Sequence, residues 1–277
     1  MFEQITLIAT NITALFVAQF IILAQHFSLF GLLVFILFIL QRSIFALSVN
    51  VFDGRAIYIS AWIGTPIHEL SHAFFCLLFG HRIQKIALFN PDNRGTLGYV
   101  THSYNNHNLW QVMGNFFIGI APLFGGLFAL YLLTYFLLDN AASLFQLLKF
   151  ITSTDTAEPL TSQLLILATR CIDIIQQAYF LSPVKLFVWA YCCAAVSLHL
   201  SPSKEDLKGA WVGFFVFLFI CLSLMIINQW LGWEWFSDLK VLINSASILY
   251  LIGIILASLL LFILFVLTGL LSIFTKK

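Results

Sequence analysis

Residues 56–80 read AIYISAWIGTPIHELSHAFFCLLFG, and this stretch decides what kind of protein the chain is. It is long enough to cross a bilayer as a helix, because roughly 20 apolar residues span about 30 Å of hydrocarbon. Yet it carries His68, Glu69 and His72 in its middle. Ionisable groups inside a span are costly and usually mark a functional interior. On a helix, positions i and i+4 differ by about 40° in azimuth, so the two imidazoles leave one face one turn apart. That spacing suits two nitrogen ligands at about 2.0–2.1 Å from one zinc ion. Glu69, beside His68, can reach a water activated by the metal without binding the metal itself, which is the place of a general base. The bland alternative makes the three groups interhelical hydrogen-bond partners. Pro66 lacks a helical N–H and is expected to bend the helix and free carbonyls near the site, or to act as a plain kink.

The rest of the chain agrees with a membrane setting. Of 277 residues, 61% are hydrophobic and only 9% are charged, whereas a soluble domain has about 45–50% and about 25%. So few charges cannot cover a soluble globule, and disorder, collagen, coiled coil and a disulfide scaffold are excluded by the same comparison. The fold class expected is an all-α polytopic membrane protein with about six to seven transmembrane helices and a small β-hairpin. A net charge of +1 without a basic tract excludes nucleic acid as a partner. Cys76, Cys171, Cys192, Cys193 and Cys221 lie mostly in apolar runs and read as small buried residues. The Met-Phe-Glu-Gln start has no basic n-region, so no cleavable signal peptide is evident.

Residues 5–40 are almost continuously apolar, too long for one comfortable crossing, and the sequence reading divides them near Gln25-His26. The expected spans are 5–24, 28–49, 56–80, 115–138, 183–200, 209–228 and 247–274, or six if the first division is absent. Segment 82–102 alternates polar and apolar residues around Asn90-Pro91-Asp92-Asn93-Arg94-Gly95, the pattern of a β-hairpin. Residues 1–55 form an N-terminal transmembrane hairpin, 56–228 the core with an inserted extramembrane segment 139–182, and 229–277 an aromatic segment plus a last helix. Basic residues His81, Arg82, Lys85 and Arg94 outnumber Asp92 in 81–112. Positive-inside counting therefore puts 81–112, 201–208 and the C-terminus in the cytoplasm, with Arg42 and Arg55 on the wrong side and Trp230, Trp233 and Trp235 in the opposite interface.

A catalytic zinc takes a third protein ligand and keeps one position open. The candidates are His81, His102, His107, His199, Glu205 and Asp206. His81 lies too far along the helix from His72, and His102 and His107 are expected to face solvent. Asp206 is the first choice and His199 the alternative, both at a polar break between spans on the side where the His68–His72 helix ends. Ser203-x-x-Asp206 competes with a ligand role, because it also resembles a helix capping box.

The order of a membrane H-E-x-x-H helix, a hairpin, a span with Gly119-Ile120-Ala121-Pro122-Leu123-Phe124-Gly125-Gly126, and a later Asp206-x-x-Gly209 resembles the site-2 protease family of intramembrane zinc metalloproteases. That resemblance implies a three-span core, Zn2+ held by His68, His72 and Asp206, Glu69 as base, and an edge strand that receives a membrane-anchored protein substrate. It covers roughly 56–228 and marks a divergent member. The family's Leu-Asp-Gly is here Glu205-Asp206-Leu207-Lys208-Gly209, and Gly125 stands where the family has an asparagine, with Asn115 the nearest amide.

Other classes fit the residues less well. A prenyl-protein-type membrane zinc endopeptidase requires a glutamate as third ligand, and only Glu205 is placed for it. Di-iron hydroxylases need more paired histidines than the seven here, and a zinc transporter needs ionisable residues in other spans. A catalytically inactive or regulatory membrane scaffold is the remaining alternative. Ser201-x-x-Lys204 and the Asn11-x-Thr13 sequon read as chance. The glycines at 119, 125 and 126 read as close packing. The expected location is a bacterial inner (cell) membrane, with the active site nearer the cytoplasmic side. Partners are the lipid bilayer and a membrane-anchored protein substrate, and the oligomeric state is left open.

Overall fold

The computed structural model describes residues 2–52, 57–92, 96–153, 160–231 and 235–275. It is mostly helical: α1 Phe2–Phe52, α2 Tyr58–Leu78, α3 Leu109–Gly119, α4 Ala121–Leu137, α5 Ala141–Ser153, α6 Leu160–Leu181, α7 Pro183–Ser197, α8 Ala210–Leu231 and α9 Trp235–Thr275. One antiparallel hairpin, β1 Arg82–Ala87 and β2 Tyr99–Ser103, lies between α2 and α3. Among the described residues two stretches are long and apolar enough to cross a membrane, Ala210–Ile227 and Leu249–Val266, or three if the bent α3–α4 pair is one span. The exterior agrees with an apolar solvent, since large side chains such as Leu77, Phe136, Phe187 and Phe262 are exposed.

Two expectations change. Residues 2–52 form one helix of 51 residues, not two divided near Gln25-His26. Neither Gln nor His breaks a helix, and in lipid a break leaves main-chain groups unsatisfied, so excess length alone does not end a segment. Conversely, 115–138 is not one straight span: α3 and α4 meet at an angle of 57°. Pro122, in the first turn of α4, has no N–H to continue the α3 ladder, and Ile120 leaves helical geometry at φ −101° and ψ 7°. The 139–182 insertion consists of α5 and α6. Glu158, Asp155, Arg55, Arg94, Trp233 and the final lysines lie outside the described residues, as do the side chains of Trp230 and Trp235, so their expected sides of the membrane do too.

The hairpin forms where alternation predicts it. Ile86 pairs with Val100 and Lys85 with Thr101, with an irregularity between Ile83 and Lys85. A core cluster brings together Leu37, Leu130, Leu144, Ala178, Trp189 and Tyr250, drawn from six helices. Its polar tips are satisfied internally, as an apolar medium demands. Trp189 Nε1–H donates to Thr134 Oγ1 at 3.1 Å, and the Tyr250 hydroxyl donates to the Leu123 carbonyl. Around this core α2 packs against α3, α4 and α7, and α3 packs against α8. That arrangement sets the middle of α2 beside the α3–α4 break and beside the α7–α8 connection.

Candidate metal centre

His68 and His72 project together from α2, with ring centroids 4.8 Å apart and Nε2 atoms 3.1 Å apart. Each ring is aimed by a main-chain carbonyl. His68 Nδ1–H donates to the His199 carbonyl at 2.7 Å, and His72 Nδ1–H donates to the Ile118 carbonyl at 2.7 Å. A carbonyl only accepts, so the hydrogen of each neutral imidazole sits on Nδ1 and each Nε2 presents a lone pair. These carbonyls come from the two helix terminations. In a continuous helix the Ile118 carbonyl would bond the N–H of residue 122, and Pro122 has none. The His199 carbonyl lies past the end of α7, where Pro202 stops the helix from continuing.

Asp206 completes the group. Its Oδ2 lies 3.4 Å from His68 Nε2 and its Oδ1 lies 3.3 Å from His72 Nε2. His68, His72 and Asp206 could together hold a metal ion, their ligand atoms all falling within 4.8 Å of one another. Ligands about 2.0–2.1 Å from a tetrahedral zinc are separated by about 3.3–3.4 Å, close to the spacings observed. Two nitrogen lone pairs and a carboxylate converging without a donor between them repel one another unless a cation sits among them, so the donor set fits a metal. Burial by itself would raise the Asp206 carboxyl. With the imidazoles protonated instead of metal-bound, their Nε2–H groups would donate to Asp206, and those bonds and that charge hold its carboxyl well below the usual carboxylate range.

At Asp206 the capping contact and the approach to the two histidines coexist. Ser203 N–H donates to Asp206 Oδ2 at 2.6 Å, while Asp206 N–H donates to Ser203 Oγ at 3.1 Å. This reciprocal pair has the bonding of the capping box the sequence suggested, but it closes the turn at 204–209 and opens no helix, since α8 begins at Ala210; it turns the carboxylate towards the histidines. The main chain of Asp206 also presses on the α3–α4 break: a Cβ on Gly119 would meet the Asp206 carbonyl oxygen at 2.6 Å. Ser203 is thus an outer partner of the centre. Ser203→Ala keeps the N–H that holds Oδ2 and loses only the hydroxyl that accepts from Asp206 N–H. It is therefore expected to cost at most about tenfold in metal affinity, read by competition with a chromogenic chelator; a loss of about 100-fold would make the hydroxyl itself the group that positions the carboxylate.

The other candidates stand outside the three-residue group. The His199 ring turns away to Ser60, with Nε2 and Oγ 3.0 Å apart, so His199 supports His68 through its carbonyl. Glu205 is exposed and lies 3.6 Å from Lys208, outside the three-residue group. His107 is exposed, as expected. His102 is not: it pairs with the buried His81, with Nδ1 atoms 3.0 Å apart, because the hairpin packs against α2 instead of standing free.

The centre opens into a cavity of about 700 Å³. Glu69, buried at 7% exposure, stands on its wall with Asn115, His102 and residues 96–101. β2 therefore borders the site, while β1 supplies no lining residue. The hairpin approaches α2 so closely that a Cβ on Gly98 would lie 2.8 Å from Glu69 Cγ. Gly98 and Ile118 were not legible as site residues, because each acts through a contact between segments far apart in sequence. Only the proline after Gly119 signalled where a freed carbonyl would be. Comparisons with protein families, with curated proteins and with solved structures return no match for this chain.

Proposed function

We propose that the protein is an intramembrane zinc metalloprotease that hydrolyses peptide bonds of membrane-anchored proteins. The observation that carries this reading is the convergence of His68 Nε2, His72 Nε2 and the Asp206 carboxylate at 3.1–3.4 Å, with Glu69 beside them but outside the ligand set. A bound zinc supplies Lewis acidity and brings the pKa of water towards about 7. Glu69 accepts the proton of the attacking water at its carboxylate and returns it to the departing amine. Carbonyl partners keep both Nδ1 atoms protonated throughout, so the ligand rings neither rotate nor change tautomer.

Peptide bonds of a transmembrane helix are shielded by their own hydrogen bonds, so the substrate unwinds before cleavage. The free edge of β2 borders the cavity and can take the unwound segment as an added strand. Gly98 brings that edge against Glu69. Gly98→Ala is expected to retain zinc and to lose on the order of 10²-fold in kcat, the usual cost of about 1 Å of misplacement. Wild-type rates in that variant would show that the substrate does not lie there.

In this reading the bilayer is crossed six times, by α1, α2, the bent α3–α4 pair, α7, α8 and α9. That count places 81–112, 201–208 and the C-terminus on one side, the cytoplasmic side by their basic residues, and sets the site nearer that face. By resemblance the membrane is a bacterial inner membrane. The test is cleavage by the full-length chain in proteoliposomes: zinc-loaded protein should cut single-span membrane proteins, a chelator should stop it and added zinc should restore it. Stoichiometric zinc without cleavage would favour a regulatory scaffold.

A further inference from the structure

A second histidine pair adjoins the metal centre and takes no part in holding the metal. His81 Nε2 lies 2.8 Å from the Gln111 carbonyl, and its Nδ1 lies 3.0 Å from His102 Nδ1. The protons on this chain are fixed by what each atom can do. The carbonyl only accepts, so the His81 hydrogen is on Nε2 and its Nδ1 is a lone pair. The hydrogen between the rings then belongs to His102 Nδ1, which leaves His102 Nε2 as an acceptor. Both rings stay neutral: burial lowers the His81 pKa, and burial with the nearby His81 and His72 brings His102 down to about 4.

The pair is also held rigidly. Tyr104 stacks on His81 at 5.1 Å. Gln111 is clamped by its own side chain, which donates to the Gly80 carbonyl at 3.0 Å and accepts from Asn105 N–H at 2.7 Å. His102 lines the same cavity as Glu69, His68, His72 and Asp206, yet it is not in the metal-binding group. A neutral acceptor cannot donate to a developing oxyanion. What it can do is receive a hydrogen bond from the occupant of the cavity.

We propose that His102 is a specificity-determining residue, a fixed-tautomer acceptor that selects substrates presenting a hydroxyl or amide side chain beside the segment laid along β2. This rests on the protease reading above. An apolar side chain at that subsite would leave the acceptor unpaired, and sites built to hydrogen-bond a substrate group reject analogues lacking it far more strongly than apolar pockets reject a missing methylene.

The experiment uses the full-length chain in proteoliposomes and single-span substrate proteins made in pairs, with Thr or its near-isostere Val at successive positions of the juxtamembrane segment. At one position the Thr form should be cut about 10–100-fold faster than the Val form, judged by kcat/KM. His102→Phe should bring that ratio to about one through loss on the Thr form, and His102→Gln, which restores an acceptor, should recover part of it. Zinc content reports on folding in every variant. Cleavage without a Thr/Val preference at any position, or a preference that survives His102→Phe, overturns the proposal and leaves the protease reading intact. No cleavage of any pair by zinc-loaded wild type overturns both. Independently, 15N shifts of the histidines should show hydrogen on Nδ1 of His102, and hydrogen on Nε2 would overturn the proposal whatever the rates.

Discussion

Glu69→Gln is expected to bind zinc as the wild type does and to lose about 10²–10⁴ in kcat, the span associated with a positioned general base. Glutamine matches glutamate in size and polarity, so the wall of the cavity keeps its shape. The amide cannot accept the proton that the attacking water must lose. The separation of metal from rate is what distinguishes this residue: Glu69 follows the ligand His68 directly but is absent from the converging set of His68, His72 and Asp206. Zinc per chain and single-turnover cleavage should be measured on the same preparation. Parallel loss of zinc would place Glu69 in the metal shell or in folding, and undiminished cleavage would remove it as the base.

Asp206→Ala is expected to lose more metal affinity than the roughly 10–100-fold that removal of an outer partner costs, because it leaves two nitrogens where zinc takes three protein ligands. The same change deletes the cap on Ser203, so Asp206→Asn is the needed companion. The amide keeps an oxygen for the Ser203 N–H but carries no charge, and its affinity should fall between those of wild type and alanine. His199→Ala supplies the contrast. His199 acts on His68 through its carbonyl, which every residue has, so its affinity loss should be the smaller one. Chelator competition on the three variants decides the order. A larger loss in His199→Ala than in Asp206→Ala would reassign the third ligand.

Some of the site was legible because its logic is local. His68 and His72 share a helix face by spacing alone, and α2 holds them that way whatever surrounds it. The hairpin was legible from alternation between Arg82 and His102, and the contest over Asp206 was visible in Ser203-x-x-Asp206. The two contacts do not exclude one another: Oδ2 accepts from Ser203 N–H while the two oxygens face the two rings. His102 was misplaced for a related reason. Alternation assigns a residue to one face of a strand, but which face meets solvent depends on where the hairpin lies against α2. The undivided α1 shows the opposite error, in which length was read as a break although no residue there interrupts a helix.

By itself, then, the sequence determined the apolar character of this protein, the helix that carries two imidazoles and a carboxylate, and the segments able to bring a further acidic or imidazole group to them. Scarce charge and the i, i+4 spacing are properties of composition and of one helical turn, and they need no partner. The tertiary structure alone decided that Asp206 and not the His199 ring faces the histidines, that Ile118 and His199 lend their carbonyls to aim them, and that β2 with Gly98 and His102 walls the cavity. Each of these is a contact between segments separated by tens of residues. Such contacts follow from how α2 packs against α3, α4 and α7, and no local pattern encodes that packing.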